Sequence, residues 1–270
     1  MAQITAAMVN ELRNKTGQGM MECKKALTET GGDVEKAIEY FRKKGVKTSI
    51  TERQAGEGRV GIALSADSKT AAAVEVNCNT DFTAKSELIA NIIQTATKKL
   101  AANPSLDLKN DAAIKDMLTS AAQQTGENVQ LGRTAAVTAN NGRAGTYLYA
   151  ITGKIAVVMA FTGNPDEDLI KQLGGHIAFS RPLALTRAEV PADLVAKERD
   201  IAVEQAKATG KPQQIAEKIA EGKLNSFFAE RCLLDQEFFN AQVFKGSIAN
   251  YLKSKNVTLE KYVRMEVGQA

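Results

Sequence analysis

The chain has 270 residues, and its 35 Lys and Arg nearly cancel its 31 Asp and Glu, leaving a net charge of +4. With 44% hydrophobic and 24% charged residues it has the composition of a soluble globular protein, away from disorder and from the dense basic stripe of a nucleic-acid binder. No apolar run approaches the roughly 18 residues of a membrane span, and Met1-Ala-Gln-Ile-Thr-Ala-Ala lacks the basic-then-apolar order of a secretory signal. The expected setting is the cytoplasm. Cys23, Cys78 and Cys232 are odd in number and widely spaced, which argues against a disulfide framework or a zinc site.

The first 46 residues read as three short helices. Thr5 to Lys15 carries Met8, Val9 and Leu12 on one side and stops at Gly17. Met20 to Thr28 follows. Asp33 then caps a helix with Val34, Ala37, Ile38 and Phe41, ended by Lys43-Lys44-Gly45. Three helices in so few residues bury little area, which suits a compact docking module. Met20 and Met21, at a helix start, fit either a contact surface or the module's own core. The polar stretch 47–57 reads as a linker.

From Gly58 the chain repeats weakly. Gly58-Arg-Val-Gly-Ile-Ala-Leu64 is echoed by Gly142-Arg-Ala-Gly-Thr-Tyr-Leu148. Each is followed by a turn with a lysine (Lys69, Lys154), a second apolar run and a helix, 86–102 and 166–180. Two related α+β units, each an antiparallel hairpin backed by helices, are the simplest architecture, over 58–140 and 141–190. A further helix spans Asn110 to Gln124. Residues 191–223 read as two helices joined by Thr209-Gly210-Lys211. Leu194, Ile201 and Ala208 recur by sevens, and Ile215 and Ile219 by four, a narrow stripe that fits a projecting antiparallel hairpin or two ordinary surface helices. Residues 224–270 return to the core through an aromatic-rich run ending in a strand at Val263–Val267.

The chemistry-bearing motifs of enzymes are missing: no Walker loop, no GxGxxG, no HExxH and no nucleophile elbow. His176 is the only histidine and lies in a helical run, where a packed, hydrogen-bonded residue is the ordinary reading. The most informative segment is Glu75-Val-Asn-Cys-Asn-Thr-Asp-Phe-Thr-Ala-Lys85, where a strand pattern gives way to a helix pattern. Thr80 and Asp81 fall where side-chain oxygens cap a helix, and Phe82 either packs inward or serves as a probe for a partner.

This segment, together with Leu12-Arg-Asn-Lys-Thr-Gly-Gln-Gly-Met-Met-Glu-Cys-Lys-Lys-Ala-Leu27, resembles the two signature regions of the translation elongation factor Ts family. The resemblance continues through Gly126-Glu127-Asn128, His176-Ile-Ala, Glu198-Arg-Asp-Ile-Ala, Thr209-Gly-Lys-Pro212 and Glu221-Gly-Lys. It implies an α+β fold: an N-terminal three-helix ubiquitin-associated-like module, a core of two related antiparallel α+β subdomains, and a coiled-coil protrusion. It also implies a non-enzymatic guanine-nucleotide exchange factor, without cofactor or bound metal, whose partner is elongation factor Tu. Thr80, Asp81, Phe82 and Thr83 match the family's Thr-Asp-Phe-Val corner, which enters the partner's G domain and disturbs its magnesium site. Asp81 is then a helix cap, a competitor for the magnesium shell, or both. Thr83 stands in place of the usual Val, making the expected tip more polar. Asn79 stands where Gln or Glu is common, and Tyr149 where a histidine contacts the partner. Met20, Met21 and Tyr149 are secondary contact candidates. The sequence stops at Ala270, where many relatives continue into a further helix, so that contact is expected to be missing. The alternative functions are a binding or scaffold protein with a ubiquitin-associated-like module and no exchange activity, and a hydrolase or transferase using His176; the helical hairpin can serve self-association or partner contact.

Overall fold

The computed structural model describes residues 4–44, 54–208 and 212–269. Part of the stretch 47–57 expected as a linker lies outside them, as do Gly45 and the turn Thr209-Gly210-Lys211.

The N-terminal module is α1 (Ala6–Thr16), α2 (Met20–Glu29) and α3 (Val34–Lys43). Its boundaries follow from local chemistry. The Thr5 side chain accepts from Met8 N–H, Gly17 ends α1 in the left-handed region at φ 66°, and Asp33 accepts from Lys36 N–H. Leu12, Cys23, Ala26, Leu27, Ala37 and Phe41 close a small core. Met20 and Met21 are not in it; they are 57% and 77% exposed.

The body holds two antiparallel three-stranded sheets, β1-β2-β3 and β4-β5-β6. The strands are β1 (Glu57–Leu64), β2 (Thr70–Cys78), β3 (Gln130–Thr138), β4 (Ala144–Leu148), β5 (Ile155–Thr162) and β6 (Thr258–Glu266). Their central strands are buried on both faces, with side chains alternating between two different cores; the polar exceptions on β2 include Glu75, buried and paired with Arg133, and Asn77. On β2, Ala71 and Ala73 face the other sheet, whereas Ala72, Val74, Val76 and Cys78 face helices. On β5, Ala156, Val158 and Ala160 face the first sheet, and Val157, Met159 and Phe161 face helices. The result is a helix–sheet–sheet–helix stack in which each outer layer has its own core.

The outer layer of the first sheet comprises α4 (Asp81–Ala84), α5 (Glu87–Ala102) and α6 (Ala112–Thr125). The second sheet carries α7 (Glu167–Ser180) and, after an excursion, α10 (Ile248–Ser254). The internal repeat has a packing reason at two glycines. A Cβ on Gly61 would stand 2.0 Å from Cγ2 of Ile93 on α5, and one on Gly145 would stand 2.9 Å from Cγ2 of Ile170 on α7. Each is the fourth residue of its Gly-Arg-x-Gly motif and lets a helix settle onto the strand.

Two sequence expectations need correction. The first unit contains a third strand, β3, beyond its expected hairpin, and the final strand expected at Val263–Val267 is β6, which completes the second sheet. The pairing of β3 is irregular opposite Val74–Val76, so Leu131 joins the helix-side core while Ala135 and Val137 lie between the sheets, and its sequence shows no clean apolar alternation to announce a strand. β6 starts at Thr258, before the expected Val263. The second correction concerns the excursion, α8 (Ala192–Lys207) and α9 (Gln213–Arg231), an antiparallel pair packed mainly on itself. Its buried seam is Ala202, Ala206, Ala216 and Ala220, while Ile201 and Ile215 of the expected stripe are exposed. Small side chains let two helices approach closely, which favours alanine over the larger residues at the contact. At the base, Leu183 N–H donates to Arg231 O and Leu233 N–H to Ala184 O. Arg187 adds a two-pronged ion pair to Asp235, reaches the Asn225 amide oxygen, and lies over the Phe228 ring.

His176 is a core residue of α7. Phe239 N–H donates to its Nδ1, so Nε2 carries the proton and donates to the Gln236 amide oxygen at 2.9 Å. The ring stacks on Phe238, and no nucleophile partners it. Cys23, Cys78 and Cys232 are buried free thiols. Among the described residues no helix is long and apolar enough to cross a membrane, and no group of three or more His, Cys, Asp or Glu could hold a metal ion.

Two measurements check this packing. Gly61→Ala forces a methyl into Ile93 and is expected to destabilise by about 1–3 kcal/mol in urea unfolding; an unchanged midpoint would contradict the close approach. Burial lowers the His176 pKa below its ordinary value, the Gln236 bond opposing but not cancelling it. The folded state therefore binds its proton less readily than the unfolded chain. His176 contributes stability that is present above about pH 6.5 and is lost as pH falls through the folded pKa. The single imidazole resonance in NMR should titrate below about pH 6.5, and a midpoint at or above that value would refute the buried neutral assignment.

Candidate functional site: the corner after the second strand

β2 ends at Cys78, and within three residues the chain is helical again. The corner precedes the long helix expected over 86–102 and is not part of it. Asp81–Ala84 forms a separate single turn, α4, and α5 begins only after Ser86, whose side chain accepts from Ile89 N–H as a second cap. The two caps split one apparent helix into two and leave the first turn standing at the edge of the sheet.

Four side chains in sequence have four different environments. Thr80 is the N-cap: its hydroxyl oxygen accepts from Thr83 N–H at 3.3 Å. Asp81, in the first helical turn, pairs with Lys85 at 2.8 Å. That hydrogen bond holds its carboxyl below the usual range, so it is ionised at neutral pH. The capping oxygen is thus that of Thr80, not of Asp81. Phe82 is 84% exposed, the most open of the large apolar side chains described. Thr83 differs from expectation. It is 8% exposed and turns inward, so its hydroxyl adds nothing polar to the outer face.

What receives Thr83 is Glu127, 44 residues on, just past the glycine that ends α6. One carboxylate oxygen accepts from the Thr80 hydroxyl at 2.6 Å and from the Thr83 hydroxyl at 2.8 Å. The other accepts from the backbone N–H groups of Asn79 and Thr80, each at 3.0 Å. Partial burial works against the charge of Glu127, but these donors outweigh it and hold its pKa below the ordinary value for a glutamate. Neighbouring bonds continue the pattern. The Asn79 side chain accepts from Asn128 N–H and donates to Gln54 O. The Cys78 thiol donates to Thr80 O, and burial pushes its pKa up to about 11. Sequence reading placed Glu127 only within a matched motif; nothing local to it reveals the four donors it accepts.

The secondary candidates are distributed over other surfaces. Met20 and Met21 stand exposed at the start of α2. Tyr149, just past β4, is half-buried with its ring edge-on to Phe179 at 5.1 Å. Phe179 is itself exposed, as are Ile151 in the following turn and Phe239 beside His176. The sequence does not single out Phe179, Ile151 and Phe239, since exposure cannot be read from an apolar pattern.

Among the described residues no group of three or more His, Cys, Asp or Glu at the corner could hold a metal ion; what the corner offers is a large apolar ring on a fixed base. A family model described as Elongation factor TS matches residues 76–269. The Elongation factor Ts of Methylococcus capsulatus is 39% identical over 280 residues, covering 98% of this chain and 92% of that protein. The Elongation factor Ts of Nitratidesulfovibrio vulgaris is 37% identical over 283 residues, covering 98% and 96%. Matched over nearly its whole length and through the corner that presents Phe82, the chain belongs to the elongation factor Ts family.

Proposed function

We propose that this chain is a guanine-nucleotide exchange factor for elongation factor Tu. It binds the GDP form, loosens the nucleotide and its magnesium ion, and is released when GTP enters, during translation elongation in the cytoplasm. The observation that carries this reading is the exposure of Phe82 on a corner whose adjacent residues are tied down. A side chain of that size in water is a cost to the free protein that burial in a partner relieves.

Exchange makes and breaks no covalent bond, so the chain needs no catalytic group. It needs contacts that strengthen as the nucleotide leaves. A thousandfold faster release requires about 4 kcal/mol of such differential stabilisation. Burying one Phe supplies about 1.5–3 kcal/mol, so Phe82 works as a wedge within a wider interface. Met20, Met21 and the Tyr149–Phe179 pair are suitable anchors for that remainder. They hold the partner in both nucleotide states, while Phe82 favours the open one.

Asp81 has a narrower role. Its carboxylate is ionised and already paired with Lys85. To compete for the partner's magnesium shell it must exchange an exposed lysine, a weak competitor, for a divalent cation or its ligands. A charged, lightly held carboxylate beside the wedge fits that task.

Release of fluorescent GDP from elongation factor Tu tests both residues. Phe82→Ala is expected to leave the fold and the docking intact and to slow the stimulated release by about 10–100-fold, the equivalent of about 1.4–2.7 kcal/mol. Stimulation equal to wild type, with the variant folded and bound, would remove the wedge. Asp81→Ala should make the stimulated rate less responsive to added magnesium; an identical magnesium dependence would leave Asp81 with no part in the metal site.

A further inference from the structure

We propose that Glu127 is the positioning residue of the corner, the group that holds Phe82 in its outward, pre-organised pose. The inference deepens the exchange reading above and rests on it for its functional half.

A one-turn helix has no stability of its own, since nucleation costs more than one turn of hydrogen bonds returns. α4 has only four residues, Asp81–Ala84, and contributes two buried side chains, Thr83 and Ala84. Its geometry must therefore be imposed from outside. Glu127 meets that requirement from both sides of Phe82. Upstream it accepts the N–H groups of Asn79 and Thr80 and the Thr80 hydroxyl. Downstream it accepts the hydroxyl of Thr83. Asn79 and Thr80 before the ring and Thr83 after it are fixed by a single carboxylate, and of the two residues between them Asp81 pairs with Lys85 while Phe82 points outward.

The proton arrangement gives Glu127 a second effect. A threonine hydroxyl has one hydrogen. Thr80 donates it to Glu127, which leaves an oxygen lone pair facing Thr83 N–H. The carboxylate thereby fixes the Thr80 hydroxyl as a helix cap. Four donors converge on one acceptor-only group, and each bond is charge-assisted. No neutral side chain of the same length can accept on both oxygens. A glutamine presents one oxygen and one NH2, so either the two backbone N–H groups meet a donor or the two hydroxyls must turn round.

Glu127 itself is well anchored. It follows Gly126, the left-handed residue that ends α6 at φ 69°, and precedes Asn128, whose N–H is bound by the Asn79 side chain at 2.8 Å. Residues 79 and 127–128 are thus tied by reciprocal bonds, so the corner moves with the body and not with its own short helix.

The test separates this assignment from the exchange reading. In the free protein, Glu127→Ala should speed amide hydrogen exchange at Asn79, Thr80 and Thr83 by at least about tenfold, the loss expected for one or two charge-assisted hydrogen bonds. Amides in the middle of α5 should stay protected. The chain has no tryptophan, so Phe82→Trp supplies a single reporter, and its anisotropy should fall when Glu127→Ala is added. Unchanged protection and unchanged anisotropy would overturn the assignment whatever the release rates show. For function, Glu127→Ala should reduce stimulated GDP release by about tenfold in the Phe82 protein and have no further effect in Phe82→Ala. Additive losses would mean that Glu127 acts through general stability, and a loosened corner with wild-type release would mean that pre-organisation is irrelevant; either result overturns the functional half. A loosened corner in which Phe82→Ala is itself inert refutes the wedge while leaving the structural assignment standing. Should Glu127→Ala fail to fold, Glu127→Gln replaces it in every arm, with an intermediate loss expected and wild-type behaviour overturning the proposal.

Discussion

Everything in the body depends on how closely two sheets can stack. Large side chains keep face-to-face sheets about 10 Å apart, and the central strands here meet through alanines, Ala71 and Ala73 on β2 and Ala156 and Ala160 on β5, with Val158 on the same face of β5. The mass needed for stability is displaced outward, to Val74, Val76, Met159 and Phe161, where helices cover it. Four layers result, and the paired sheets form the plate to which the outer helices are fastened. The corner at Thr80 is an extension of that plate, because β2 is its middle strand on the first side.

Stiffness matters for the corner because binding is weakened by whatever must be ordered at the moment of contact. A large ring on a loose loop would lose part of its burial energy to the loop's own immobilisation. The ring of Phe82 stands on residues already held by hydrogen bonds to a carboxylate, an asparagine and a buried thiol. The same logic separates the corner from the other exposed apolar groups. Met20 and Met21 are flexible side chains on a module with a small core, suited to adapting to a surface. Tyr149 and Phe179 brace each other edge to edge and present a firmer one.

Much of this organisation is legible in the sequence, where periodicity and caps act over a few residues. The three N-terminal helices, the two hairpins and the helices behind them all announce themselves through local pattern. The failures share a cause: the deciding interaction lies across the fold. β3 is a strand because β2 is there to pair with it, although its own alternation is half polar. The helical pair excludes Ile201 and Ile215 from its seam because backbones can approach closely only over alanine, and a search for large apolar residues looks in the wrong place. Thr83 follows an exposed ring in the sequence, yet a carboxylate 44 residues away draws it inward. The resemblance to a family named the corner; it could not supply the bonds that shape it.

The base of the helical pair has a different consequence. The chain leaves the body near Ala184 and returns at Cys232, and those two residues are bridged side by side. The whole excursion is therefore a closed detour whose two ends meet at one point of the body. A change of length beyond this base is compatible with the same path of α7 and α10, because the entropic cost of a longer closed segment grows only slowly with its length. Evolution can thus vary the reach of this arm separately from the sheets, testing new surfaces without reopening the core.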